Sequence, residues 1–133
     1  MASPSSVIAP GIDRGTAWFW EGVAAHRLLL QRCASCGTLR GQALPMCASC
    51  QSLEWDTQEA SGRGTVHTWL VSQHPSDPGE WRIVALIDLE EGLRIVSNIV
   101  DAEPSDVAIG APVELTFRTY GDVTLHQFVL AGS

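Results

Sequence analysis

The sequence contains no lysine. Its eight basic residues are all arginine, against fifteen Asp and Glu, and the formal net charge is −7. An acidic chain repels phosphate backbones instead of collecting them, so neither nucleic acid nor an anionic membrane surface is expected as a partner. No run reaches the ~18 apolar residues that a membrane span needs. Residues 1–11 lack both a basic start and a long apolar stretch, so they do not read as a signal peptide, and a cytoplasmic location is expected. No internal repeat and no low-complexity tract is present beyond the first twelve residues. The Gly-x-Ser-x-Gly elbow of serine hydrolases is missing. Gly62-Arg63-Gly64 lacks the strand-before, helix-after setting of a phosphate loop.

What is present fits one domain or two very small ones. The chain has 133 residues and is 45% hydrophobic, enough for a core. A piece of ~35 residues could not hold one alone without a metal or disulfides. Residues 1–12, rich in Ser, Pro and Ala, are expected to form a flexible leader. Residues 13–26 predict a helix with Asp13 or Thr16 as N-cap. Within it Trp18, Phe19 and Trp20 are consecutive, and at ~100° per residue they fan over roughly 200° of its surface. One small core is not expected to bury all three.

Residues 53–60 suggest a short strand or connector, and residues 61–64 a turn. From Thr65 the pattern has period two. Strands are predicted over 65–73, 81–89, 93–100, 112–119 and 123–130, with a breaker-rich loop at 74–79 and a short helical turn within 102–110. Trp81, Ile83, Ala85 and Ile87 share one face of the second strand. Trp69 and Trp81 are expected in the core. Five short strands with a break after the third predict a small closed barrel, an OB-fold by first choice, with a five-stranded sandwich as the competing architecture. The expected organisation is a leader over 1–12, a helix and cysteine module over 13–60, and an OB-fold over 61–133.

The strongest motif is Cys33-Ala-Ser-Cys36-Gly37 followed by Cys47-Ala-Ser-Cys50, which accounts for every cysteine in the chain. Two such knuckles can turn four thiolates toward one tetrahedral Zn²⁺. Gly37 stands where the turn needs a positive φ. The ten-residue gap between knuckles is shorter than the about 15–20 usual in ribbons, yet leaves room for a short hairpin. Disulfides would need an oxidising compartment that nothing here supports. A thioredoxin-type redox motif normally occurs once, on a different scaffold. An iron site would use the same four ligands, so zinc and iron both stay open. Four thiolates leave no open coordination position, and the metal is therefore expected to be structural.

Little else suggests chemistry. His26, His67, His74 and His126 are scattered, and none has the spacing of a helical metal pair. Glu90 and Glu91 fall in a hairpin turn; Asp101, Glu103 and Asp106 fall near a helix start. Turns and caps account for them. No general acid–base pair emerges, no thiol is left over as a nucleophile, and no catalytic residue is expected. The aromatic cluster at Trp18 to Trp20 suits a protein interface better than a nucleic-acid platform, because a basic groove is lacking.

The stretches FWEGVAAHRLLLQRCASCG, LPMCASC, EW, SGRGTVHTW and IGAPVELTF together resemble a bacterial and archaeal family. That family joins an N-terminal helix and rubredoxin-like zinc ribbon to a C-terminal OB-fold associated with acyl-CoA metabolism. The resemblance covers roughly residues 13–130. It implies an accessory subunit, or fused domain, of thiolase-superfamily enzymes, including aldolases of steroid side-chain degradation; some members occur with enoyl-CoA hydratases. It matches Cys33, Cys36, Cys47 and Cys50 to zinc ligands. It also matches Trp18, Phe19, Trp20 and Glu21 to a helix suited to partner contact. A stand-alone acyl-CoA binding module is the alternative of a different class.

Overall fold

A computed structural model describes residues 16–40, 46–74 and 77–131. The expected leader over 1–12, and Asp13 as a possible N-cap, lie outside the described residues. So does the middle of the hairpin expected between the two cysteine pairs.

Among the described residues one short helix, α1 (Ala17–Ala24), precedes eight strands. The helix ends two residues before the sequence suggests. Its C-terminus closes by a Schellman motif: the N–H of His26 donates to the Val23 carbonyl (2.9 Å), and that of Arg27 to the Gly22 carbonyl (2.8 Å). His26 takes the left-handed conformation at φ 62°, where glycine is usual. The reversal sends the chain into β1 (Leu29–Cys33), a strand the sequence did not announce. β1 is central in a three-stranded antiparallel sheet, between β2 (Leu39–Arg40) and β3 (Trp55–Glu59).

The other five strands are β4 (Arg63–His74), β5 (Asp77–Leu89), β6 (Arg94–Ile99), β7 (Pro112–Tyr120) and β8 (Val123–Leu130). They close into a barrel of order β4-β5-β6-β8-β7, and β7 pairs back onto β4. β6 and β8 run parallel, while the other neighbours are antiparallel. The expected OB-fold is thus present, and closure rules out the sandwich. The helical turn before β7 is a single 3-10 turn, Pro104–Asp106.

The breaker-rich loop at 74–79 is a correction. Pro78 and Gly79 belong to β5, and His74 pairs with Asp77. β6 pairs with β5 only from Ile83 to Asp88. Pro78 lies upstream of that paired stretch, where a proline without an N–H is tolerated.

Period-two patterning built the core. Ile83, Ala85, Ile87 and Leu89 of β5 are buried with Val66, Ile99, Val107, Val113 and Phe128; Trp69 and Trp81 pack against this cluster while staying partly exposed. Leu28, Leu30 and Ala60 lie in the same cluster, so the three-stranded sheet and the barrel share one core. Gly64 sits where the barrel closes, opposite Leu89 of β5 and Val113 of β7. A Cβ there would stand 2.7 Å from the Asp88 carbonyl oxygen, so only glycine permits this close approach.

Candidate metal centre and the aromatic helix beside it

β1 delivers Cys33 at its C-terminal end, directly opposite Trp55 of β3. The chain then makes the first knuckle, and the second follows the connection beyond β2. The two knuckles use the same hydrogen bonds. Cys33 N–H donates to the Thr38 carbonyl (2.9 Å) and Gly37 N–H to the Cys33 carbonyl (2.9 Å). Cys47 N–H donates to the Ser52 carbonyl (2.9 Å) and Gln51 N–H to the Cys47 carbonyl (2.8 Å). Gly37 has φ 78°, as its position after the second cysteine suggests, and its counterpart Gln51 adopts φ 63°. The repeated backbone explains why the two Cys-Ala-Ser-Cys segments present sulfur in the same way.

The four sulfur atoms lie within 4.8 Å of one another. Cys33 Sγ is 3.5 Å from Cys50 Sγ, and Cys36 Sγ is 3.6 Å from Cys47 Sγ. All four cysteines are free thiols. Tetrahedral ligands at ~2.3 Å from one ion would stand about 3.8 Å apart, so the donor set fits a single four-thiolate metal. Cys33 and Cys47 are buried; Cys36 and Cys50 reach the surface.

The electrostatics point the same way. N–H groups of Cys36 and then Ser35 stabilise the Cys33 thiolate and, against the cost of burial, bring its pKa down to about 6. The N–H groups of Cys50 and Ser49 lower Cys47 in like manner. For Cys50 the Ser52 N–H acts downward, but the Cys33 and Cys36 sulfurs and desolvation outweigh it and push the thiol up to about 12. Four thiols this close cannot all ionise without a cation between them. Hydroxyls surround the cluster: Thr38 Oγ1 lies 3.1 Å from Cys36 Sγ, and Ser35 Oγ donates to Ser52 Oγ at 3.0 Å.

The sheet that carries the knuckles is fastened by exposed ion pairs. Arg32 faces Asp56 across β1 and β3 and pairs with both of its carboxylate oxygens at 2.8 and 3.1 Å. The Arg32 guanidinium holds the Asp56 carboxyl below its ordinary range. Arg27 pairs with Glu59 at 2.9 Å.

Helix α1 lies against β1 and β8. Trp18, Phe19 and Trp20 are each half-buried, and they divide between two neighbours. Trp18 meets Trp55 of β3 with centroids 5.3 Å apart. Phe19 and Trp20 flank the His126 ring of β8 at 5.3 and 5.9 Å. Burial holds the His126 imidazole below its ordinary pKa, against a smaller upward pull from Val96. Glu21 is exposed. The sequence named the helix aromatics but gave no role to Trp55 or His126, whose partners are set by topology.

The remaining polar candidates are tied into structure. Glu90 accepts from Ser61 Oγ (2.7 Å) and pairs with Arg63, while Glu91 accepts from Ser61 N–H (2.7 Å). Asp88 pairs with Arg94 at 2.7 Å and lies 3.4 Å from His67. Asp101 pairs with Arg118, and Asp106 accepts the Glu103 N–H at 3.0 Å. His26 stacks on Phe117, with rings 5.1 Å apart and 8° from parallel. A shallow, open depression at the seam of sheet and barrel is walled by His26, Glu59, Gly62, Arg63, Glu114 and Leu115. Arg63 there is committed to Glu90 and Glu59 to Arg27. Among the described residues no helix is long and apolar enough to cross a membrane.

Two family models match adjoining stretches of the chain: the ChsH2 rubredoxin-like zinc ribbon domain over residues 20–56, and the ChsH2 C-terminal OB-fold domain over residues 57–118. A chain of the solved Ltp2-ChsH2(DUF35) aldolase superposes with a TM-score of 0.86 at 40% identity, covering 92% of this chain and 99% of that one. A DUF35 domain-containing scaffold protein of Methanocaldococcus jannaschii is 40% identical over 111 residues, which span 80% of this chain and 79% of that protein. A probable enoyl-CoA hydratase alpha subunit of Thermomonospora curvata is 44% identical over 108 residues, 80% of this chain. The match spans only 34% of that longer protein. The chain therefore belongs to the DUF35 family, whose ChsH2-type members join a rubredoxin-like zinc ribbon to an OB-fold.

Proposed function

We propose that this chain is a non-catalytic accessory subunit that docks on a thiolase-superfamily enzyme acting on acyl-CoA. The partner is an aldolase of the kind the family resemblance associates with steroid side-chain degradation. The partner supplies nucleophile, acid and base. This chain supports its assembly in the cytoplasm, with residues 13–60 as the helix and ribbon module and 61–133 as the barrel. The observation that carries the reading is the likeness, over nearly the whole of both chains, to a component of the Ltp2-ChsH2(DUF35) aldolase. The helix residues Trp18, Phe19, Trp20 and Glu21 form part of the contact.

In the same reading Cys33, Cys36, Cys47 and Cys50 hold one zinc ion. Bound there, zinc supplies cross-linking and no Lewis-acid chemistry, because all four positions are taken by thiolates. The residues contribute the rest: knuckle N–H groups stabilise the anionic sulfurs, and β1 and β3 fix the angle between the knuckles. A stand-alone acyl-CoA carrier is less well supported. Arg27, Arg32, Arg63, Arg94 and Arg118 are each paired with a carboxylate of the chain itself, and CoA phosphates would have to displace those pairs.

Co-expression with a thiolase-like aldolase subunit tests the proposal. The two should elute together, and retro-aldol cleavage of a β-hydroxyacyl-CoA should need the complex. Separate elution, with the enzyme soluble and fully active alone, would sink it. The 44% identity to the hydratase alpha subunit favours a second reading, in which the chain serves a hydratase. Hydration of an enoyl-CoA by the assembled complex, without retro-aldol activity, would select that one.

A further inference from the structure

Trp18 of α1 and Trp55 of β3 meet at 5.3 Å on the outside of the ribbon, and both keep part of their surface exposed. Leu53, two residues before Trp55, is 69% exposed, a large apolar area to leave in water. The neighbouring aromatics are used differently: Phe19 and Trp20 are turned to His126 and anchor the helix on the barrel. Phe19 and Trp20 thus hold the helix in place while part of each stays exposed for the contact, and Trp18 carries that contact onto the ribbon.

Two carboxylates border this face. Glu54 precedes Trp55, and Glu21 lies three positions after Trp18, hence on the same side of the helix. Both are exposed, and neither has an ion-pair partner among the described residues. The nearby arginines Arg27 and Arg32 are committed to Glu59 and Asp56. The face is also held in place. Ala34 N–H donates to the Glu54 carbonyl at 3.0 Å, and Trp55 stands opposite Cys33, so the first knuckle fixes both residues. Rigid aromatics cost little entropy on association and make strong anchors.

We infer that the Trp18–Trp55 face, with the exposed Leu53, Glu21 and Glu54 beside it in the chain, docks on an enzyme surface that is apolar in the middle and ringed by Lys and Arg. This rests on the accessory-subunit reading and adds the ribbon residues and the chemistry of the opposing surface. A second copy of the chain is a poor occupant, since a two-fold contact would set the same carboxylates against each other. Anionic surfaces are excluded for the same reason.

The test is binding of the full chain to the Ltp2 component of the Ltp2-ChsH2(DUF35) aldolase, measured by calorimetry at low and moderate salt. Wild type should bind, and more weakly as salt rises. Glu21→Arg combined with Glu54→Arg should weaken binding by about tenfold at low salt and remove most of the salt dependence. Trp55→Ala should weaken it by at least about thirtyfold. The charge-reversed chain, altered only at exposed side chains, should keep the wild-type melting temperature, so loss of fold does not confuse the outcome. If wild type binds and the charge-reversed chain binds equally well at both salts, the inference falls and the accessory reading stands. If wild type does not bind, both fall.

Discussion

Replacing Cys47 by alanine should lower the stability of the whole chain, not of the ribbon alone. Cys47 is fully buried, and its sulfur lies 3.6 Å from that of Cys36. Three thiolates cannot hold zinc as tightly as four, and a small ribbon without its metal opens. Leu28 and Leu30 are 1% and 3% exposed and belong to the cluster that fills the barrel. Full burial of a leucine contributes roughly 1.5–3 kcal/mol, so release of the pair costs about 3–6 kcal/mol. At roughly 3–5 °C per kcal/mol for a chain of this size, the main melting transition should fall by on the order of 10–30 °C. Circular dichroism followed through the strand signal reads the barrel directly. Wild type treated with a strong chelator should fall by a similar amount and recover on adding zinc. A barrel transition that stays put in the metal-free variant would refute the shared-core argument and make the two modules independent.

Gln51 carries the strain that Gly37 avoids at the equivalent knuckle position, with φ 63° against 78°. Gln51→Gly should therefore stabilise the chain by up to ~1 kcal/mol, and Gly37→Ala should destabilise it by roughly 1–2 kcal/mol; a destabilised Gln51→Gly or an unchanged Gly37→Ala in urea melts would contradict the assignment. His126, kept neutral by burial, has a folded pKa below its unfolded one. Between those two values the unfolded chain binds the extra proton, so stability is present above the unfolded value near 6.5 and is lost as pH falls toward the folded one. His126→Phe, which keeps a ring between Phe19 and Trp20, should flatten melting temperature against pH across that window, and an unchanged slope would rule His126 out. Gly64→Ala forces a Cβ to within 2.7 Å of the Asp88 carbonyl and should cost about 1–3 kcal/mol, visible as a lower denaturant midpoint; a neutral result would show that the barrel seam can relax.

The barrel was legible because one-sided burial writes period two into a strand. Ile83, Ala85 and Ile87, and Val113 with Leu115 and Phe117, could be placed on a face without coordinates. The cysteines were legible because the two knuckles repeat a pattern that thiol chemistry constrains. Other features depended on contacts distant in sequence. The apolar run Leu28 to Leu30 leads into β1 with no alternation to mark a strand, and Leu29–Cys33 becomes one because β2 and β3 flank it. Pro78 read as a breaker because propensity ignores whether a strand edge is paired. Trp55 gained a role only when α1 folded against the ribbon. His126 gained one when the same helix crossed β8. Gln51 hid the second knuckle's positive φ, since sequence points to that conformation mainly through glycine.

On the proposed reading, four thiolates close around one zinc ion. Native mass spectrometry of the purified full chain measures this directly, because metal and disulfide change the mass in different ways. The predicted result is one zinc per chain, four sulfurs without disulfides, and loss of the metal in Cys47→Ala. A folded chain carrying no metal and two disulfides, or one carrying iron in the same four-sulfur site, would contradict it.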